Sequence, residues 1–357
     1  MNTYTKFIII SFLRSFLFVF TIMTCLIFIL NLLSEIDFFK NINVGNFFPI
    51  YLSLLNAPSM IFEIFPFIFL LSSQLFFVYM LKNNQLDIFI YSGFKNSKLI
   101  RILAIFTFFL GIIIIFFFYN ISSNLKNLYL GLKSNYTDDD KYLAVITNNG
   151  LWIKDKIEDK ILIINALNIE DNYLTNAFIT EFNNNYEIIR NIKANKIDIT
   201  NNEWIINNAL VFKNNIKINE DLLMIKSNFN YEKIQTLFSN LTALSLKELF
   251  ELKKNYKNLG YSVTEIDMHI SKLLSLPFYF MLMTVFASNI MIYLKKIRNN
   301  TFKISLGLFF SVIIYYLTNF SFVMGNTEKI SIFFSVSLPL LTLTIINFLM
   351  IKDTNEK

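Results

Sequence analysis

Six apolar runs constrain this chain more than any other feature: residues 15–33, 59–81, 102–120, 273–294, 304–324 and 331–351. A helix needs about 20 such residues, at about 1.5 Å each, to cross a hydrocarbon core about 30 Å thick. The chain therefore reads as a polytopic α-helical membrane protein with six transmembrane helices. Composition agrees: 54% of the 357 residues are hydrophobic, 41 are Phe and only 16% are charged, against about 25% charged in soluble domains. The first run is too long and too poorly matched to a small-residue cleavage site for a removable signal peptide, so a retained anchor is expected. The single Cys25 lies inside that run. It excludes an intrachain disulfide and says nothing about redox compartment.

Orientation follows from the basic residues, which are retained on the cytoplasmic side of span ends. The connection between spans two and three carries Lys82, Lys95, Lys98 and Arg101 against Asp87 alone. That between four and five carries Lys295, Lys296, Arg298 and Lys303 with no acid. The first-to-second connection has Glu35, Asp37 and Lys40, and the fifth-to-sixth has Glu328 and Lys329. Every basic loop thus falls on one side with both termini, which predicts cytoplasmic termini. Residues 121–270 are then periplasmic, and they hold 17 basic and 19 acidic side chains. The chain's net charge of +6 belongs to its membrane part, and a nucleic-acid partner loses its main support.

The expected domains are residues 1–120 with spans one to three, 121–270 outside the membrane, and 271–357 with spans four to six. Within 142–213 the pattern changes to short β-branched and aromatic runs: YLAVIT, LWIK, KILIINAL, YLTNAFITEF, YEIIRNIKANKIDI and EWIINNALVF. Turn-forming clusters at 148–150, 171–172, 183–185 and 201–202 separate them. These predict an inserted all-β domain, an antiparallel sandwich or roll. A helix over 245–259 follows, with Leu246, Leu249, Phe250 and Leu252 to one side and Gly260 as its stop.

Between spans two and three, NNQLDIFIYSG places Leu86, Phe89 and Ile90 on one helical face. Asn84 is the expected N-cap and Gly93 the left-handed C-terminal residue. So short a helix needs tertiary support. Its apolar face suits lipid or the protein's own spans as well as a groove on a cytoplasmic partner, and periodicity does not choose between them.

Chemistry is sparse. No G-x-x-x-x-G-K-[ST] loop occurs, so ATP hydrolysis has to come from another subunit. One His and one Cys in different regions support neither a zinc site nor a nucleophile-His-acid arrangement. His269 reads as an interfacial residue. Glu63 is the one acid inside a span, and intramembrane acids are functional candidates; it also has the option of snorkelling outward or pairing with Lys40. Pro58 and Pro66 bracket it and would bend that helix. The stretch 47–55 ahead of it reads as an interfacial helix or an early turn of the same span.

Four segments, QLDIFIYSG (85–93), GLWIKD (150–155), EWIINNALVF (203–212) and LLSLPF (273–278), together with residues 314–341, resemble the LptF/LptG permease family of lipopolysaccharide exporters, with the LptG branch favoured. The resemblance covers essentially the whole chain and implies a β-jellyroll for the inserted domain. It also implies a half-transporter without enzymatic activity or cofactor. Its partners would be a sibling LptF-like permease, a cytoplasmic LptB-like ABC ATPase dimer, lipopolysaccharide and a periplasmic LptC/LptA-like jellyroll protein. The ATPase would dock on Gln85, Leu86, Asp87, Phe89, Ile90 and Gly93. Where this chain has Gln85 the family usually has Glu, so the charged contact is either lost or moved to Asp87. The LptG branch also tends to carry a basic residue in the outer part of span one for the lipid's phosphates; here Asn31 occupies about that position and Lys40 is the nearest cation. Asn31, Lys40 and Glu63 are therefore the lipid-path candidates. Two other functions stay open at this level: a membrane-anchored periplasmic binding or assembly module without transport, and an ABC permease for another lipid or a lipoprotein.

Overall fold

The computed structural model describes residues 3–42, 44–45, 47–134, 136, 151–157, 160–170, 172–183, 186–213, 216–231, 234, 240–258, 263–295, 297 and 299–356. It divides into two compact units: residues 1–129 with 264–357, and residues 130–263.

The first unit is helical. In chain order it contains α1 (Thr3–Phe38), α2 (Phe48–Glu63), α3 (Phe65–Lys82), α4 (Gln85–Tyr91) and α5 (Asn96–Ile113). A π-helical segment, Ile114–Tyr119, carries α5 into α6 (Asn120–Ser134). After the insertion, which holds α7 (Leu246–Asn258), come α8 (Thr264–Tyr293), α9 (Asn300–Asn326) and α10 (Ile332–Glu356). Six helical stretches among the described residues are long and apolar enough to span a membrane. They are α1, α3, the continuous α5–α6 rod, α8, α9 and α10.

The second span differs from expectation at its start. Residues 47–55 open a separate helix, α2, rather than an early turn of that span, and the membrane-length helix starts at Phe65. Pro66 explains the break, because it lacks an N–H and its ring would collide with the carbonyl four residues back. The chain turns out of helical geometry at Ile64, with φ −96° and ψ 4°. Glu63 is therefore the last residue of α2 rather than an acid within a span.

Helix α8 is the hub of this unit, packed against α3, α5, α9 and α10. Gly111 of α5 lies close against it, where a Cβ would stand 3.0 Å from the Pro277 Cα and 3.0 Å from Phe280 Cδ2. Small residues at such crossings let helix backbones approach, because packing rather than water drives association in lipid. The Phe residues fill the core between α1, α3 and α8: Phe16–Phe69 rings lie 5.1 Å apart and Phe69–Phe280 rings 4.8 Å apart.

The second unit holds six antiparallel strands in one sheet of order β1–β6: Leu151–Ile157, Lys160–Glu170, Tyr173–Asn183, Ile188–Asp198, Glu203–Lys213 and Ile216–Lys226. Five coincide with apolar runs read from the sequence. The run YLAVIT, the turn at 148–150 and Gly260 lie outside the described residues. The sixth strand escaped that reading, because Asn219, Glu220 and Asp221 interrupt its alternation and most of its side chains are exposed.

One face of the sheet is buried, and it stays so across two reversals of the two-residue period. Leu174 and then Ala177 and Ile179 face inward on β3; Trp204 and Ile206 and then Ala209 and Val211 do so on β5. Each reversal coincides with a left-handed asparagine, Asn176 at φ 49° and Asn208 at φ 54°, at a break in strand pairing. The pairing register is the same on either side of each asparagine, so no residue is inserted and the left-handed residue itself turns the alternation over. On the paired strands β3 and β4, Arg190 donates two hydrogen bonds to the buried Glu181, at 2.8 and 2.9 Å, and this bond holds the guanidinium above its ordinary pKa.

A buried carboxylate ties the first strand to the segment after the last. Asp155 of β1 accepts hydrogen bonds at 2.8 Å from Ser227 Oγ, the Asn228 N–H and Asn228 Nδ2. Beside it Trp204 Nε1 donates to the Phe229 carbonyl at 2.8 Å. Helix α7 (Leu246–Asn258) begins with a capping box, in which Ser245 N–H donates to Glu248 at 2.7 Å. It buries Leu249 and Leu252, whereas Phe250, expected on the same face, is exposed.

Asp155→Ala removes both acceptor oxygens of these three hydrogen bonds, among them the acceptor of the buried Ser227 hydroxyl, a loss of about 2–4 kcal/mol. Hydrogen exchange on the intact protein is expected to show β1 and residues 227–229 losing protection first. Unchanged protection there would contradict the clamp.

Candidate functional site

The helical unit carries polar and apolar constellations at its two ends. At the end formed by the start of α1 and the loops after α3 and α8, the seven-residue α4 is seated from below. Leu86 is only 1% exposed. Phe89 packs edge-on to Phe94 at 5.5 Å and against Phe7 of α1 at 6.1 Å. Lys98 in turn lies over the Phe94 ring at 4.3 Å and over that of Tyr4 at 5.1 Å. Gly93 takes φ 81°, a conformation that favours glycine, and closes the helix as expected. Asn84 does not act as the expected side-chain cap; it adopts a left-handed backbone, φ 55°, with no capping hydrogen bond.

The face read from the sequence is thus divided. Leu86 and Phe89 turn toward the protein's own helices, while Ile90 is exposed together with Ile88 and Tyr91, the last two at 61% and 89%. Gln85 is half-buried, and its Oε1 is enclosed without a hydrogen-bond partner among the described residues. Asp87 forms an ion pair with Lys295, just beyond α8. Ile88, Tyr91 and Lys295 were not singled out from the sequence. A three-residue spacing marks Ile88 and Tyr91 as one face, but nothing local shows that it is the outward one.

At the other end a chain of hydrogen bonds joins α1, α2 and α6. Asn31, 4% exposed, donates to the Ser53 carbonyl at 3.1 Å and accepts from Asn56 Nδ2 at 3.0 Å. Asn56 Oδ1 accepts from Lys126 Nζ at 2.7 Å. The Lys126 ammonium lies 5.3 Å from the centre of the Tyr129 ring. The Tyr129 hydroxyl donates to Glu35, 1% exposed, at 2.8 Å. The chain so returns to α1 one turn beyond Asn31. Buried polar groups are costly unless each finds a partner, and this arrangement sets one ammonium and one carboxylate within a single network.

Of the three lipid-path candidates, only Asn31 belongs to this network. Lys40 is exposed in the turn after α1. Glu63 is exposed at the end of α2, and its charged neighbour is Lys272 of α8 rather than Lys40. Close by, the Tyr119 hydroxyl and His269 Nε2 are 3.2 Å apart, which makes His269 a contact between the π-helical segment and α8. Glu35, Ser53, Asn56, Lys126 and Tyr129 were missed as a site, yet a signal existed. Asn31 with Glu35, Ser53 with Asn56, and Lys126 with Tyr129 each sit three or four residues apart, the spacing that puts two polar groups on one helical face.

Six membrane-length helices, a β unit inserted between the third and fourth, and a braced short helix after the second define a polytopic membrane protein of the permease class. The sequence profile of the family described as Lipopolysaccharide export system permease LptF/LptG matches residues 6–353, and the chain belongs to this family. Its general role is therefore that of a lipopolysaccharide export permease, a transport component of the inner membrane and not an enzyme. No curated protein matches the chain. Several residues of the resembling segments have structural duties: Asp155 and Trp204 fasten residues 227–229 to the sheet, and Pro277 receives Gly111.

Asn56→Leu cuts the network between Asn31 and Lys126. It is expected to lower stability by about 1 kcal/mol, the scale of interhelical hydrogen bonds in membranes, read as a lower thermal midpoint of the purified protein in detergent. A midpoint equal to that of the parent would contradict a load on this contact.

Proposed function

We propose that this chain is one permease half of an ABC-type exporter that draws lipopolysaccharide sideways from the outer leaflet of the inner membrane. In this reading α4 and both termini face the cytoplasm and the β unit faces the periplasm. Lys82, Lys95, Lys98, Arg101, Lys295 and Lys303 all belong to loops or helix ends on the α4 side, which supports that orientation. An LptB-like ATPase dimer supplies hydrolysis and an LptF-like sibling completes the membrane part. A periplasmic LptC- or LptA-like jellyroll receives the lipid. The extent of the β unit, residues 130–263, suits a module that hands cargo onward.

The observation that carries this reading is the exposed apolar patch Ile88, Ile90 and Tyr91 on a helix already anchored by Leu86 and Phe89. A braced amphipathic helix with large apolar side chains outward suits insertion into a groove of a protein partner. At the opposite end Asn31 reaches positive charge through Asn56 and Lys126, next to where the family resemblance places a cation for the lipid's phosphates.

Ile88→Asp and Tyr91→Asp are expected to reduce co-purification of the cytoplasmic ATPase about tenfold or more, as loss of an interface anchor does, with insertion and yield unchanged. Undiminished co-purification with both variants would overturn the docking role of α4.

A further inference from the structure

We infer that Lys295 is a positioning residue for transport: its ion pair with Asp87 fastens α4 to α8, so that movement of α4 reaches the central span directly. The inference rests on the reading of α4 as the segment that receives the ATPase.

The geometry supports this in three ways. Lys295 is not on a free loop, because Leu294 N–H donates to the Ile290 carbonyl at 3.0 Å and Lys295 N–H to that of Ile292 at 3.1 Å. Its backbone is therefore held in a turn bonded to the last turn of α8. The ammonium then bonds Asp87 Oδ1, 208 residues away in sequence. Finally α8 is the span that packs against α3, α5, α9 and α10, while the other anchors of α4 lead toward α1 and its own loop, through Phe89 to Phe7 and Phe94. Asp87 thus joins α4 directly to the end of the hub helix.

This placement also bears on Gln85. A glutamine cannot supply charge, and the acid one half-turn on is engaged within the chain. The surface left for the ATPase is apolar, Ile88, Ile90 and Tyr91, and the charged contact is intramolecular. Exposed ion pairs add little to stability, so the relevant quantity is coupling between nucleotide turnover and lipid movement, not folding.

The test uses the complete exporter in proteoliposomes and compares ATP hydrolysis with ATP-driven release of lipopolysaccharide. With Lys295→Asp, the ATPase is expected to co-purify and hydrolyse ATP as before, while release falls about fivefold or more, the scale of an ordinary coupling energy. Lys295→Arg retains release, and the exchange Asp87→Lys with Lys295→Asp restores it. Normal release by Lys295→Asp, or a loss that neither the exchange nor Lys295→Arg relieves, would overturn the inference. Failure of the ATPase to associate with the unaltered chain would instead remove the docking reading on which it rests.

Discussion

Hydrocarbon offers no hydrogen bonds, so every backbone amide that enters a bilayer has to be satisfied within its own segment. That constraint turns each of six apolar runs into a helix, and it bears equally on the polar side chains buried inside the bundle, most of which have partners. Gln74 donates to the Lys303 carbonyl at 3.2 Å, and Asn289 and Asn347 meet between α8 and α10. Where the chain leaves helical geometry it does so for a local reason. Pro66 separates α2 from α3, and Gly93 closes α4 in the left-handed region.

The same constraint gives the two ends of the bundle different work. On the α4 side, aromatic contacts and one ion pair hold a short helix that presents apolar side chains outward. On the other, polar groups of α1, α2 and α6 close on one another around Lys126 and Glu35. The separate helix α2 is tied to α1 through Asn31 and to α6 through Asn56 and Lys126 by hydrogen bonds, and by ring contacts through Phe48 and Phe62.

Much of this was legible in the sequence. Long apolar runs, alternating charge in the loops and the switch to short β-branched runs yield the six spans and five of the strands. The β6 strand was not legible, because Glu220 and Asp221 interrupt its alternation on a mostly exposed strand. The start of the third helix was misplaced because hydropathy does not register Pro66 as a boundary inside an apolar run. Periodicity groups Leu86, Phe89 and Ile90 on one face of α4 without saying what covers it; that Phe7 of α1 packs on Phe89 is a tertiary fact. Asp87 and Lys295 lie too far apart in sequence for any local pattern to join them. The polar network was half visible, as paired polar residues at helical spacing, but its closure needed three helices in place.

The most direct measurement is sidedness. Cys25 is the one native cysteine, so in a Cys25→Ser background single cysteines at Tyr91 and at Asn201 can each be probed in intact cells with a membrane-impermeant thiol reagent. Labelling at position 201 once the outer membrane is permeabilised, with position 91 protected until the inner membrane is opened, is the predicted result. Equal accessibility of both positions from one side would contradict the topology and with it the assignment of α4 to a cytoplasmic ATPase.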